Sequence, residues 1–209
     1  MKQLFERISS DFDDAEGYFS VVEVHRFAEE LKLVVAMRFH DGMQPELWEI
    51  QCSGVVHQLL SSDFATQLSE TAESALLLPY IEPRLSIMFA RNAMAPEALL
   101  GIVCSCCIEA MGRPEFITQF INGTATLSGI VSSAFGLLGR FPESLAANIL
   151  AALKTQPIQA HALPGVTPGS WNGSQYVAYP ALRVLNIGGS YVIAERFSAV
   201  PFDRAKAVP

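Results

Sequence analysis

Apolar and polar positions alternate through residues 18–56 in three successive runs. In the second run, residues 31–40, Leu31, Leu33, Val35, Met37 and Phe39 share one face. Lys32, Arg38 and His40 lie on the other, together with Val34 and Ala36. A period of two marks a half-buried strand. The first run covers residues 18–27. The third covers residues 46–56 and turns Trp48, Ile50 and Cys52 inward, with Glu49, Gln51 and Ser53 outward. Polar turns at Ala28-Glu29-Glu30 and at Asp41-Gly42, before Pro45, join the runs. The pattern predicts an antiparallel meander.

Further along, the signals change from strand to helix and back. One short helix is expected within residues 1–15, then a polar connector. A second helix, capped by Ser62 or Asp63, is expected over residues 63–74. Residues 76–80 and 84–90 read as extended, with Pro79 and Pro83 limiting the first to an edge or loop. Pro96 sits in the first turn of a helix over residues 95–111 that stops at Gly112. Arg113-Pro114-Glu115 restarts a helix through Phe120, ended by Asn122-Gly123. A segment of small residues, 126–138, ends at Gly139. Residues 143–154 form another helix, with Leu145, Ile149, Leu150 and Leu153 on one side. Prolines and glycines make 156–173 a long loop. Residues 176–179 are extended, and 182–187 with 190–200 make a hairpin across Gly188-Gly189. The tail, 203–209, is expected to be loose.

Strands at both ends and helices between them give an α+β order, unlike the alternation of a parallel sheet. The expected fold is one domain spanning residues 1–209. In it the C-terminal hairpin extends the meander into one antiparallel sheet, with the central helices packed on its dry face.

Composition narrows the function. Half of the 209 residues are hydrophobic and 17% are charged, enough to fold around a core. A net charge of −7 argues against nucleic acid or an anionic membrane as partner. Basic residues near Arg91 and at Arg204 and Lys206 are sparse. The N-terminal stretch has no apolar run or cleavage site of a secretory signal, and the four cysteines do not form a disulfide framework. A cytosolic location is therefore expected. Residues 116–139 carry no charge, but their Gln, Asn, Ser, Thr and Gly content fits buried segments better than a membrane span.

The polar face of the meander collects Glu23, His25, Lys32, Arg38, His40, Glu49 and Gln51. Opposite charges on neighbouring strands are what a solvated sheet face favours. If that face binds a partner instead, His25, Arg38 and His40 are its candidates. Cys104 and Cys107 stand three apart on one helix face, half of a tetrahedral metal site. No second close pair of Cys or His completes it, and the neighbours Ile102, Val103 and Ile108 favour buried, inert thiols. The histidines, His25, His40, His57 and His161, are scattered. Gly-x-Ser-x-Gly and P-loop patterns are absent, and the pairs Asp13-Asp14 and Glu29-Glu30 sit in turns. Trp171, Tyr176 and Tyr179 flank the long loop, where aromatic side chains can anchor a partner or cover the end of the core.

Three stretches carry a resemblance. They are Leu47-Trp48-Glu49-Ile50-Gln51-Cys52-Ser53-Gly54-Val55, residues 76–89, and residues 171–199 with Tyr191-Val192-Ile193-Ala194-Glu195-Arg196-Phe197. Together they resemble a family of uncharacterised bacterial proteins, over most of the chain after residue 18. The chain departs from that pattern in its central helix, with Cys107 where the family has a histidine, and near Pro114, where it has a tryptophan. The resemblance implies a bacterial protein and brings no activity and no functional residue with it.

The expectation is a non-enzymatic binding or protein-interaction domain. Its partner would be a protein or a small ligand, and self-association is compatible with the reading. No cofactor is expected. The alternative is a metal-binding or thiol-dependent enzyme using Cys104 and Cys107.

Overall fold

The computed structural model describes residues 1–12, 17–28, 30–112, 117–122 and 126–203. The chain folds into two compact units, Met1–Ser74 with Pro180–Pro209, and Ala75–Tyr179. The fold is α+β, and every strand pairing among the described residues is antiparallel.

The first unit begins with helix α1 (Lys2–Asp11) and the meander β1 (Gly17–Phe27), β2 (Glu30–Phe39) and β3 (Glu46–Ser53). Short strands β4 (His57–Leu59) and β5 (Leu68–Thr71) follow. The second unit holds a 3₁₀ turn at Ala75–Leu77, α2 (Leu78–Ile81), β6 (Arg84–Ala90), α3 (Pro96–Met111), α4 (Ile117–Phe120) and α5 (Leu127–Val131). It continues with β7 (Gly136–Pro142), α6 (Glu143–Leu153), β8 (Gln159–Val166), β9 (Gly169–Trp171) and β10 (Tyr176–Ala178). The chain then returns to the first unit with β11 (Arg183–Ile187), β12 (Ser190–Ala194) and β13 (Arg196–Pro201).

The first unit contains two four-stranded sheets, ordered β1-β2-β3-β13 and β4-β12-β11-β5. The alternation read from β2 is the one observed: Leu31, Leu33, Val35 and Met37 join a single core with Trp48, Ile50 and Cys52. Leu185, Ile187, Val192 and Ala194 enter that core from the other sheet, and Leu4 enters it from α1. The Arg7 guanidinium forks onto the Glu46 carboxylate, with Nη2 to Oε1 at 2.8 Å, and so ties α1 to β3. The C-terminal strands do extend the meander, but only through β13, which pairs with β3. The hairpin β11–β12 belongs to the second sheet, with its turn at Gly188 (φ +57°) and Gly189. The third expected strand breaks after Ser53, and the last one breaks at Glu195. At both breaks the chain passes from one sheet to the other.

In the second unit the sheet is ordered β7-β6-β8. Leu85, Ile87 and Phe89 alternate with Arg84, Ser86 and Met88 along β6, and Ile87 and Phe89 are buried. Helix α6 packs on all three strands and on α3, burying Leu145, Ala146, Ile149 and Leu153. The central helices cover the sheet of their own unit. Phe120 and Phe141 meet at a centroid distance of 6.0 Å.

Several local expectations are corrected. Residues 63–74 form no helix: Ala65 bridges Phe19 and β5 pairs with β11, because burying Leu68 and completing a sheet edge override local helix preference. Residues 76–80 are helical, since Pro79 falls in the first turn of α2, where its missing N–H costs nothing. The segment 126–138 divides into α5 and the start of β7. The expected loop 156–173 contains β8 and β9. Strand β8 is an edge paired only with β6, and Pro164 lies in its bulge, outside the paired register, where a strand tolerates proline. Asp13, Asp14, Glu29, residues 113–116, Gly123 and the tail beyond Asp203 lie outside the described residues, with the expectations placed on them. Among the described residues no helix is long and apolar enough to cross a membrane.

The core assignment of the meander is testable. Leu33 is fully buried, so Leu33→Ala is expected to cost about 2–5 kcal/mol, whereas Lys32→Ala on the opposite face should cost under about 1 kcal/mol. Chemical denaturation of both variants measures the contrast.

Candidate functional site

The alternation on β6 that buries Ile87 and Phe89 necessarily turns Arg84 and Ser86 to the opposite side of the sheet. On β7, Arg140 stands directly across from Ser86. Arg84 and Arg140 are thus diagonal neighbours on one face, about 7–8 Å apart along the backbone. On the other flank, β8 bulges between its pairings with Arg84 and Ser86. Gly165 lies in that bulge, where a Cβ would overlap the Arg84 carbonyl oxygen. Beyond β8 the chain turns through buried Pro168 into the β9–β10 ribbon.

These elements enclose a cleft of about 530 Å³, lined by Arg84, Ser86, Arg140, the 164–166 segment, Pro168, Gly169, Tyr176 and Tyr179. Arg84 is half-buried, and its Nε and Nη2 donate to the Pro79 carbonyl oxygen at 3.2 and 3.0 Å. That bond fixes the guanidinium without neutralising it. Arg140 is exposed, and no hydrogen bond or ion pair engages its guanidinium among the described residues. No carboxylate stands among the described lining residues. Tyr179 rests edge-on against Tyr80 at 5.9 Å between centroids.

Trp171 pairs directly with Tyr176 across the ribbon, so both project from the same face of it. Trp171 is 65% exposed and Tyr176 54%. The connecting turn is pinned by the Asn172 side-chain oxygen, which accepts from the backbone N–H groups of Ser174 and Gln175. The sequence-predicted aromatic residues thus stand together, with Tyr176 and Tyr179 lining the cleft and Trp171 beside Tyr176. The arginines and Ser86 were missed. Their signal was the alternation on β6 and the Gly139-Arg140-Phe141 pattern on β7, which the small-residue reading of that region concealed.

The meander candidates are arranged differently. His25 pairs across from Lys32, whereas Arg38 lies further along β2 opposite Tyr18. Lys32 and Arg38 are six residues apart on β2, so His25 and Arg38 are separated by about 20 Å. Between them Val34 and Ala36 are buried, which interrupts the polar face. At one end the His25 ring lies 3.4 Å from the Glu23 carboxylate, and Lys32 lies 3.4 Å from Glu49. At the other end Arg38 donates to the Ser20 hydroxyl at 3.4 Å, and the His40 ring stands 5.8 Å from that of Tyr18. Phe64, itself 70% exposed, also packs on Tyr18.

On α3, Cys106 and Cys107 are buried and Cys104 is half-buried. Burial, reinforced by the neighbouring thiols, pushes Cys107 up to about 12. Burial and then Glu109 raise Cys106. Burial alone pushes Cys52 up to about 12. No group of three or more His, Cys, Asp and Glu side chains among the described residues is placed to hold a metal ion. His57 stacks on Tyr191 at 5.7 Å, and burial lowers its pKa.

No protein-family model, no curated protein and no solved structure matches the chain.

The thiols and His57 bound a pH window. Cys52 and Cys107 keep their protons up to about 12, whereas an unfolded thiol releases its proton near 9.0. The unfolded chain then binds fewer protons, so stability should fall as pH rises above about 9. Burial disfavours the charged His57 ring, and the unfolded chain gains a proton there below 6.5, so its contribution should be lost progressively as pH falls from 6.5 toward its lowered folded pKa. Urea denaturation across pH 5 to 11 checks both slopes. Native alkylation near pH 8 is expected to reach Cys104 ahead of Cys52 and Cys107, and peptide mass mapping reads the order.

Proposed function

We propose that the chain is a bacterial cytosolic protein with a non-enzymatic binding role, exercised through the cleft of the second unit and the Trp171 face of its ribbon. The observation that supports it best is the meeting of Tyr176 and Tyr179 with two arginines in a recess with no carboxylate among its described lining residues. Exposed aromatic side chains beside such a recess are the anchors by which partners are held. Tyrosine and tryptophan supply wide contact area while few torsions are fixed on binding. A protein partner would seat on Trp171 and Tyr176, and a small ligand would fill the cleft behind them. Nothing in the geometry of Cys104 and Cys107 favours a thiol or metal enzyme, because Cys107 holds its proton near neutral pH and the pair lacks further ligands among the described residues.

Trp171→Ala is expected to weaken capture of partners from the native cell extract, while changing stability by less than about 0.5 kcal/mol. Affinity capture with both proteins, paired with thermal melts, reads the two quantities. Identical partners for both would refute the role of the ribbon, as would a large loss of stability with no partner lost.

A further inference from the structure

We infer, resting on the binding role proposed above, that the cleft takes a flat organic carboxylate, its charged end between Arg140 and Arg84 and its ring against Tyr176 and Tyr179. The charge pattern comes first. Two guanidiniums on diagonal positions of one sheet face repel each other unless an anion lies between them. Arg84 is oriented by the Pro79 carbonyl, and Arg140 has no partner among the described residues. The hydroxyl of Ser86, directly opposite Arg140, adds a neutral donor on the same face. In a chain of net charge −7, this recess has no carboxylate among its described lining residues to satisfy the arginines internally. Guanidinium forks bind carboxylates through paired charge-assisted hydrogen bonds.

The remaining lining decides the body of the ligand. Pro164, Val166, Pro168 and the tyrosine rings give the cleft an apolar wall. A bare inorganic anion would leave that wall unfilled, whereas a planar ring covers it by stacking. Tyrosine faces also attract cations, but a cationic ligand would meet the guanidiniums. The volume of about 530 Å³ accommodates one small molecule with room to spare.

The probe is naphthalene-2-carboxylate, titrated calorimetrically into the full-length protein at low salt, against its neutral carboxamide and inorganic phosphate. The carboxylate is expected to bind about tenfold or more tightly than either control, and to weaken as salt is added. Arg140→Gln is expected to lose about tenfold in affinity and Arg140→Lys less, since a lysine keeps the charge but not the fork. Arg140 is exposed, so unchanged melts of these variants confirm that the fold is intact. Tyr176→Ala should weaken the carboxylate and leave phosphate unchanged. No binding of the carboxylate at millimolar concentration, or equal binding of the carboxamide, overturns the charge assignment. Phosphate binding as tightly as the carboxylate overturns the flat body. If the carboxylate fails while Trp171-dependent capture persists, the ligand class is wrong and the binding role stands. If both fail, the binding role falls with it.

Discussion

The close approach of β8 to β6 at Gly165 is the constraint on which the candidate site depends. A side chain there would collide with the Arg84 carbonyl, so the bulge exists only because glycine occupies it. The bulge takes Pro164 and Gly165 out of the ladder, between the pairings of Leu163 with Ser86 and of Val166 with Arg84, and all three residues of the 164–166 segment line the cleft. It also carries the chain toward Pro168 and the ribbon, which brings the tyrosines over the outward face of β6. Without the bulge, Arg84, Ser86 and Arg140 would be three polar residues on an open sheet. With it, they form the floor of a cleft.

Electrostatics then separates this cleft from the other polar surfaces of the chain. On the meander Lys32 pairs with Glu49 and the His25 ring approaches Glu23, Arg7 of α1 pairs with Glu46, and Arg38 donates to the Ser20 hydroxyl. At the edge of the second sheet Arg183 meets Glu70 at 2.6 Å. Such pairs are worth little individually. Arg140 is different because no described lining residue of its cleft carries the opposite charge. In a chain of net charge −7 this recess gathers two arginines with no carboxylate among its described lining residues, a local charge opposite to the overall sign.

The fold was legible wherever one periodicity dominated. The meander, the helices from Pro96 and Glu143 and the Gly188-Gly189 turn follow directly from spacing and turn chemistry. What was not legible depended on distant partners. Strand β5 pairs with β11 across more than half the chain, and no local signal in Leu68–Thr71 announces that partner. In residues 156–173 the prolines and glycines spoke for a loop, yet an edge strand tolerates proline, and the bulge here has room only for glycine at 165. The aromatic half of the site was readable because Trp171, Tyr176 and Tyr179 lie close together in sequence. The arginine half was not, because Arg84 and Arg140 become neighbours only when β6 and β7 pair.

Helix α3 shows how a conspicuous sequence feature can be explained by packing. Its N-cap is Ala95, with no side-chain hydrogen bond, and no basic residue stands in its last turn. Glu97 in the first turn and the left-handed Gly112 at the C-cap favour its ends, but most of its stability must come from what it buries. Leu99, Val103, Cys106, Cys107 and Met111 supply that buried face. The raised pKa of Cys107 follows from the same fact, since a thiolate in this position would lose its solvation. To make Cys107 reactive would require opening the face that holds the helix in place. Cysteine here acts as a small apolar side chain, and the candidate cleft of the second unit lies on the opposite face of its sheet, with Arg84, Ser86 and Arg140.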